Sequence, residues 1–222
     1  MSLPRPVEAL VFDMDGLLID SEVMVRAAVM KAAATLGHDF THDLYAQGMG
    51  RSDTDYNAIV RAHFGPDFPM ERFLAEETVE IARAFEAGVC LKAGVTELLD
   101  ELDDLGLPCA VATSSPRASA ERHLGEHGLL DRFQAIIARE DVTRHKPHPL
   151  PYIEAARRLD VAPHLCLALE DSYNGVRAAH GAGMMTVMIP DLLEATDEMR
   201  GLCVHVLESL HAVRDMVRAA RR

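Results

Sequence analysis

The chain has 222 residues, 49% of them hydrophobic, enough for a sizeable buried core with an inserted piece beside it. Its formal net charge of −13 argues against a protein that coats nucleic acid or anionic lipid, because both need a basic surface. The four cysteines (Cys90, Cys109, Cys166 and Cys203) form no C-x-x-C pair, no apolar run approaches membrane-spanning length and the N-terminus lacks a signal-peptide layout, so disulfides, a zinc site and a membrane span are not expected and a reducing cytoplasm is. The first element, Glu8 to Phe12, is a short apolar, β-prone run that ends in Asp13-Met14-Asp15-Gly16. From Ser21 to about Gly88 the pattern is helical throughout. Ser21 is expected to cap a helix that Gly37 ends, Ser52 or Asp53 a second, and Pro69 to open a third. Short apolar runs then recur at Pro108–Thr113, Gln134–Ala138, Leu165–Leu169 and Met185–Ile189. They alternate with helical patterns at Val95–Leu105, Ala118–His127, Leu150–Leu159 and Gly175–Ala182. Such alternation predicts an α/β fold, a parallel sheet sandwiched by helices. The helical block breaks the alternation after the first strand, so residues 1–17 and 90–222 are read as an α/β core and 18–89 as an inserted all-helical cap. The basic end, Arg214 to Arg222, reads as the exposed face of a last helix.

In open α/β sheets, ligands sit at the carboxyl ends of the strands, and four runs here carry polar residues at that end. Asp13 and Asp15, two apart in extended chain, point to the same side. Two such carboxylates repel by roughly 4 kcal/mol at about 4 Å and an effective dielectric near 20, an arrangement that makes sense around a cation. One can then be a nucleophile and the other an acid and base. Thr113-Ser114-Ser115 ends the second run ahead of a helix, where a hydroxyl and free amides suit phosphate. Lys146, one of only three lysines in the chain, stands in a loop before the next helix. Glu170-Asp171-Ser172 ends the fourth run, and hard oxygen ligands of this kind select Mg²⁺. Taken singly, each motif is more often a turn, a cap or a loop. Their co-occurrence in sequence order on one expected sheet edge is what carries weight.

Together the motifs resemble those of the haloacid dehalogenase superfamily of phosphohydrolases, in its capped β-phosphoglucomutase-like branch. Phe12-Asp13-Met14-Asp15-Gly16-Leu17-Leu18-Ile19-Asp20-Ser21-Glu22 is similar to that branch's first motif, Thr113 to its second, Lys146 to its third and Glu170-Asp171 to its fourth. The resemblance covers essentially the whole chain. It implies a Rossmann-like core with a helical cap, and a Mg²⁺-dependent phosphatase of a small phosphorylated metabolite such as a sugar phosphate. Asp13 would be the nucleophile that forms an aspartyl-phosphate, and Asp15 the acid and base. Thr113, the Ser114 amide and Lys146 would hold the phosphoryl group. Asp13, the Asp15 carbonyl, Asp171 and Glu170 would form the metal site. A phosphomutase is the alternative, and a monomer or weak homodimer is expected. The sequence departs from the family pattern in the cap stretch, where Arg51 is displaced by two positions and Asp53 takes the place of the arginine that grips a second phosphate in a mutase. Arg51 is then a substrate contact or a solvated helix-start residue. Around the lysine, His145 replaces a glycine and His148 follows Pro147; both read as loop histidines in preference to a metal site.

Overall fold

The apolar runs form strands in a computed structural model of the chain that describes residues 3–49, 53–86 and 88–221. Six strands make one parallel sheet: β1 (Ala9–Phe12), β2 (Cys109–Ala112), β3 (Ala135–Ile137), β4 (Cys166–Glu170), β5 (Met185–Met188) and β6 (His205–Val206). Their spatial order is β3-β2-β1-β4-β5-β6. The chain therefore builds outward from β1 on one side, then returns to β1's other side to build outward again. β1 and β4 flank that reversal, and open α/β sheets bind ligands at such a point. The register pairs Phe12 with Val111 on one side and with Leu169 on the other, so all three strands end level.

Why the helices pack where they do follows from side-chain size. Alternate strand residues share a face. One face carries Ala9, Val11, Ala110, Ala112, Cys166 and Ala168, all but fully buried. These small residues let two helices approach closely: α7 (Leu150–Leu159), through Tyr152, Ala155 and Ala156, and α8 (Tyr173–Gly181), through Ala178 and Ala179. The other face carries larger groups, among them Phe12, whose ring meets Phe133 edge-on at 5.8 Å.

The contacts divide the chain into two compact units, Met1–Ile19 with Cys90–Arg222, and Asp20–Val89. The second is all helix: α1 (Ser21–Thr35), α2 (His42–Gly48), α3 (Asp53–Phe64) and α4 (Met70–Glu86). Phe40 stacks on Phe73 at 5.6 Å, and Phe64 on Phe68 at 4.6 Å. Glu80 of α4, with its side chain only 4% exposed, is held by Lys31 of α1 at 2.6 Å and by Arg83. The end of α1 is as expected. Gly37 has φ +80°, its amide bonds to the Ala34 carbonyl and the next amide to Ala33, the paired bonds of a Schellman cap. The start is not. Helical geometry already includes Ser21, and Asp20 holds the cap position without a side-chain bond. Ser52 lies outside the described residues.

In the sheet unit, α5 (Val95–Asp104) packs on α10 (Leu210–Ala220), and Arg218 makes a bidentate pair with Glu101. Two further α-helices of this unit are α6 (Arg117–Glu126) and α9 (Asp197–Leu202). Among the described residues no helix is long and apolar enough to cross a membrane.

Candidate active site

Asp13 follows β1 directly, and its amide donates to the Leu169 carbonyl at 3.0 Å, which fixes its backbone in the sheet edge. Asp13 and Glu170 continue the small-residue face of β1 and β4, the face that α7 covers. Lys146, just ahead of α7, and Tyr152, inside it, therefore meet them. The Lys146 ammonium donates to Asp13 Oδ1 and, at 2.6 Å, to Glu170 Oε1. The Lys146 side chain is 6% exposed and lies 5.1 Å from the centre of the Tyr152 ring.

Glu170 is fully buried and its oxygens are heavily engaged. Oε1 accepts from Lys146 and, at 2.6 Å, from the Tyr152 hydroxyl. Oε2 accepts from the amides of Asp171 and Ser172 at 3.2 and 3.1 Å and from the Ser172 hydroxyl at 3.0 Å. Ser172 also caps α8, its oxygen accepting from the Gly175 amide at 3.1 Å. Carboxylate oxygens of Asp13, Glu170 and Asp171 lie within 4.8 Å of one another, the sole such cluster of metal-ligating side chains among the described residues. All three donors are hard oxygens, which fits Mg²⁺. Asp13, Glu170 and Asp171 are thus the residues that could hold such an ion.

Burial pushes the Asp13 carboxyl up; the Lys146 ammonium pulls it back, and the charges of Glu170 and Asp15 push it up again, to about 8. One ammonium among several carboxylates leaves surplus negative charge at this cluster. Burial alone would lower the Lys146 ammonium, but Asp13 and Glu170 outweigh it and raise it. Tyr152 is raised well above its ordinary value, by burial first and then by Glu170, so it stays a phenol and a donor.

Asp15 meets the hydroxyls that follow β2. Its Oδ2 accepts from the Ser115 hydroxyl at 2.7 Å and from the Thr113 hydroxyl at 3.3 Å. Gly16, at φ +81°, starts the tight turn that leaves the strand, its amide donating to the Ile19 carbonyl at 2.9 Å. Ser114 is exposed, with its carbonyl held by Arg139 Nε at 2.9 Å. The structure thus brings Asp13, Asp15, Thr113, Lys146, Glu170 and Asp171 to the ends of β1, β2 and β4. Arg51 lies outside the described residues. His148 Nδ1 accepts the Leu150 amide at 3.2 Å, a role at the start of α7. Two residues with direct roles here were not singled out from the sequence: Tyr152, which occupies the apolar face of its helix, and Ser115, whose place in a hydroxyl run was the only signal.

The chain belongs to the haloacid dehalogenase-like hydrolase family, whose sequence profile matches residues 10–189. It is 35% identical over 200 residues to hexitol phosphatase B of Escherichia coli (strain K12), spanning 86% of each chain. It is 31% identical over 178 residues to the phosphorylated carbohydrates phosphatase of Thermotoga maritima, spanning 80% of this chain and 82% of that one. The crystal structure of a HAD family hydrolase from Deinococcus radiodurans R1, solved with bound phosphate and sodium, superposes with a TM-score of 0.84 at 26% identity over 97% of both chains.

Proposed function

We propose that this enzyme is a Mg²⁺-dependent phosphatase acting on a small phosphorylated metabolite through an aspartyl-phosphate on Asp13. The observation that carries the reading is the Lys146 ammonium bridging buried Asp13 and Glu170 beside Asp171. The names of the two curated relatives favour a phosphorylated carbohydrate as substrate.

A carboxylate oxygen of Asp13 attacks phosphorus, and the ester P–O bond breaks with its electron pair on the leaving oxygen. Asp15 gives that oxygen a proton. Water then attacks phosphorus and gives a proton to Asp15. The P–O bond to Asp13 breaks, restoring the carboxylate and releasing phosphate. Lys146, the Thr113 hydroxyl and the Ser114 amide hold the phosphoryl oxygens. Glu170, fixed by Tyr152 and Ser172, keeps Lys146 in place. The carboxylates of Asp13 and Asp171 and the carbonyl of Asp15 would hold Mg²⁺, which supplies positive charge against the transferring group.

The test is phosphate release from a panel of sugar phosphates, polyol phosphates and nucleotides, with Mg²⁺ or EDTA, for wild type and Asp13→Asn. Release that requires Mg²⁺ and disappears in Asp13→Asn is expected. Release that survives Asp13→Asn would overturn the nucleophile. Isomerisation of β-glucose 1-phosphate faster than phosphate release would assign a mutase instead.

A further inference from the structure

We propose that Ser115 is a positioning residue for Asp15, holding its Oδ2 and with it the orientation of the carboxylate that exchanges a proton with substrate; this rests on the phosphatase reading above. Ser115 is not a helix cap: Pro116 holds that position in α6, without any side-chain bond. Its hydroxyl instead donates to Asp15 Oδ2 at 2.7 Å, the common length for an O–H···O bond. The Thr113 hydroxyl reaches the same oxygen at 3.3 Å, beyond the usual range. The Ser115 amide donates to Thr113 Oγ1 at 2.9 Å, which leaves the threonine proton directed at Asp15. Ser115 thus orients both residues.

Its own position is fixed from outside the site. The Ser115 carbonyl accepts from the Arg139 amide at 3.0 Å, and the preceding Ser114 carbonyl accepts from Arg139 Nε at 2.9 Å. A bound phosphoryl group draws the Thr113 hydroxyl away, while the Ser115 hydroxyl stays on Asp15 Oδ2. The arrangement fixes the plane of the carboxylate that meets the leaving oxygen and, later, the attacking water.

The experiment compares an alkyl phosphate that the wild type hydrolyses with p-nitrophenyl phosphate, whose leaving group departs without a proton. Both are tested with Mg²⁺ on wild type, Ser115→Ala and Ser115→Thr. General acid catalysis typically contributes about 10²- to 10⁴-fold, and a misaimed acid forfeits part of it. For Ser115→Ala, kcat/KM should fall about 10- to 100-fold on the alkyl phosphate and less than about threefold on the aryl phosphate. A burst of p-nitrophenol should appear as breakdown of the phospho-enzyme slows, and Ser115→Thr should restore most of the loss. Equal losses on both substrates, a change in KM alone, or no loss would overturn the assignment while leaving the phosphatase reading intact. A wild type that releases phosphate from nothing overturns both. If the alanine variant does not fold, Ser115→Cys, with a weak donor of similar shape, carries the same comparison.

Discussion

Gly175 offers the sharpest test of how the site is built. It lies in the first turn of α8, where helix propensity alone predicts that alanine gains about 1 kcal/mol over glycine. The packing predicts the reverse. A Cβ at position 175 would fall 1.7 Å from Glu170 Oε1 and 2.1 Å from Oε2, where real Cβ contacts are essentially never under 3.0 Å. The carboxylate would have to retreat by roughly 1.3 Å, the difference between 1.7 and 3.0 Å. It cannot do so and keep Lys146, Tyr152, Ser172 and two amides as partners. Disrupting a buried charge pair costs about 3–5 kcal/mol, so the net loss for Gly175→Ala is about 2–4 kcal/mol. That corresponds to a Tm lower by roughly 10 °C for a chain of this size. Phosphate release should fall with it, because Lys146 loses its anchor. Thermal and urea denaturation, run beside the release assay, measure both. An alanine variant as stable and active as wild type would refute the claim that Glu170 is locked against this helix.

Three further outcomes follow from the same geometry. The metal-free fold keeps the Asp13 proton up to about pH 8, whereas the unfolded chain loses it near 3.8, so the folded state binds more protons between these values and stability falls as pH rises through that window. Mg²⁺ competes with that proton, so the Tm increase it produces should be larger at pH 8.5 than at pH 6; a pH-independent increase would contradict the charge surplus. Lys146→Met should abolish turnover and destabilise by about 3–5 kcal/mol near pH 8, with a smaller deficit at pH 5.5 where Asp13 takes up a proton; urea midpoints equally depressed at both pH values would refute this. Tyr152→Phe keeps the ring and removes one donor to a buried carboxylate, so stability should drop by about 2 kcal/mol, roughly 4–8 °C; an unchanged Tm would mean the hydroxyl adds nothing.

The sheet was legible because parallel strands buried on both faces read as unbroken apolar runs, as Ala9-Leu10-Val11-Phe12 does. β6 was not, since two half-buried residues beside one partner strand leave no run to see. α2, with only Leu44 and Tyr45 buried in seven residues, is too short for a helical period to stand out. The acidic residues of the site were visible because they sit where strands stop. Tyr152 was hidden by its own burial: with Ala155 and Ala156 it completes an apolar helix face, and only the end of β4 decides that its hydroxyl finds Glu170. The saturation of Glu170 was equally hidden, because residue spacing shows that a carboxylate is present but not how many donors reach it.

The helical unit enters and leaves the sheet unit through a single doorway. Ile19 pairs with Leu91 in an antiparallel bridge, and the Lys92 amide donates to the Leu18 carbonyl at 3.0 Å. To the sheet, about 70 residues of insertion therefore look like the tip of a hairpin. Loop-closure entropy grows only with the logarithm of length, so exchanging one such insert for another of different size changes the folding free energy of the sheet by roughly 1 kcal/mol or less. The residues at the strand ends and the sequence of the insert can then diverge separately. A chimera carrying another helical unit between Ile19 and Cys90 should keep the strand order and the Asp13–Lys146–Glu170 arrangement unchanged.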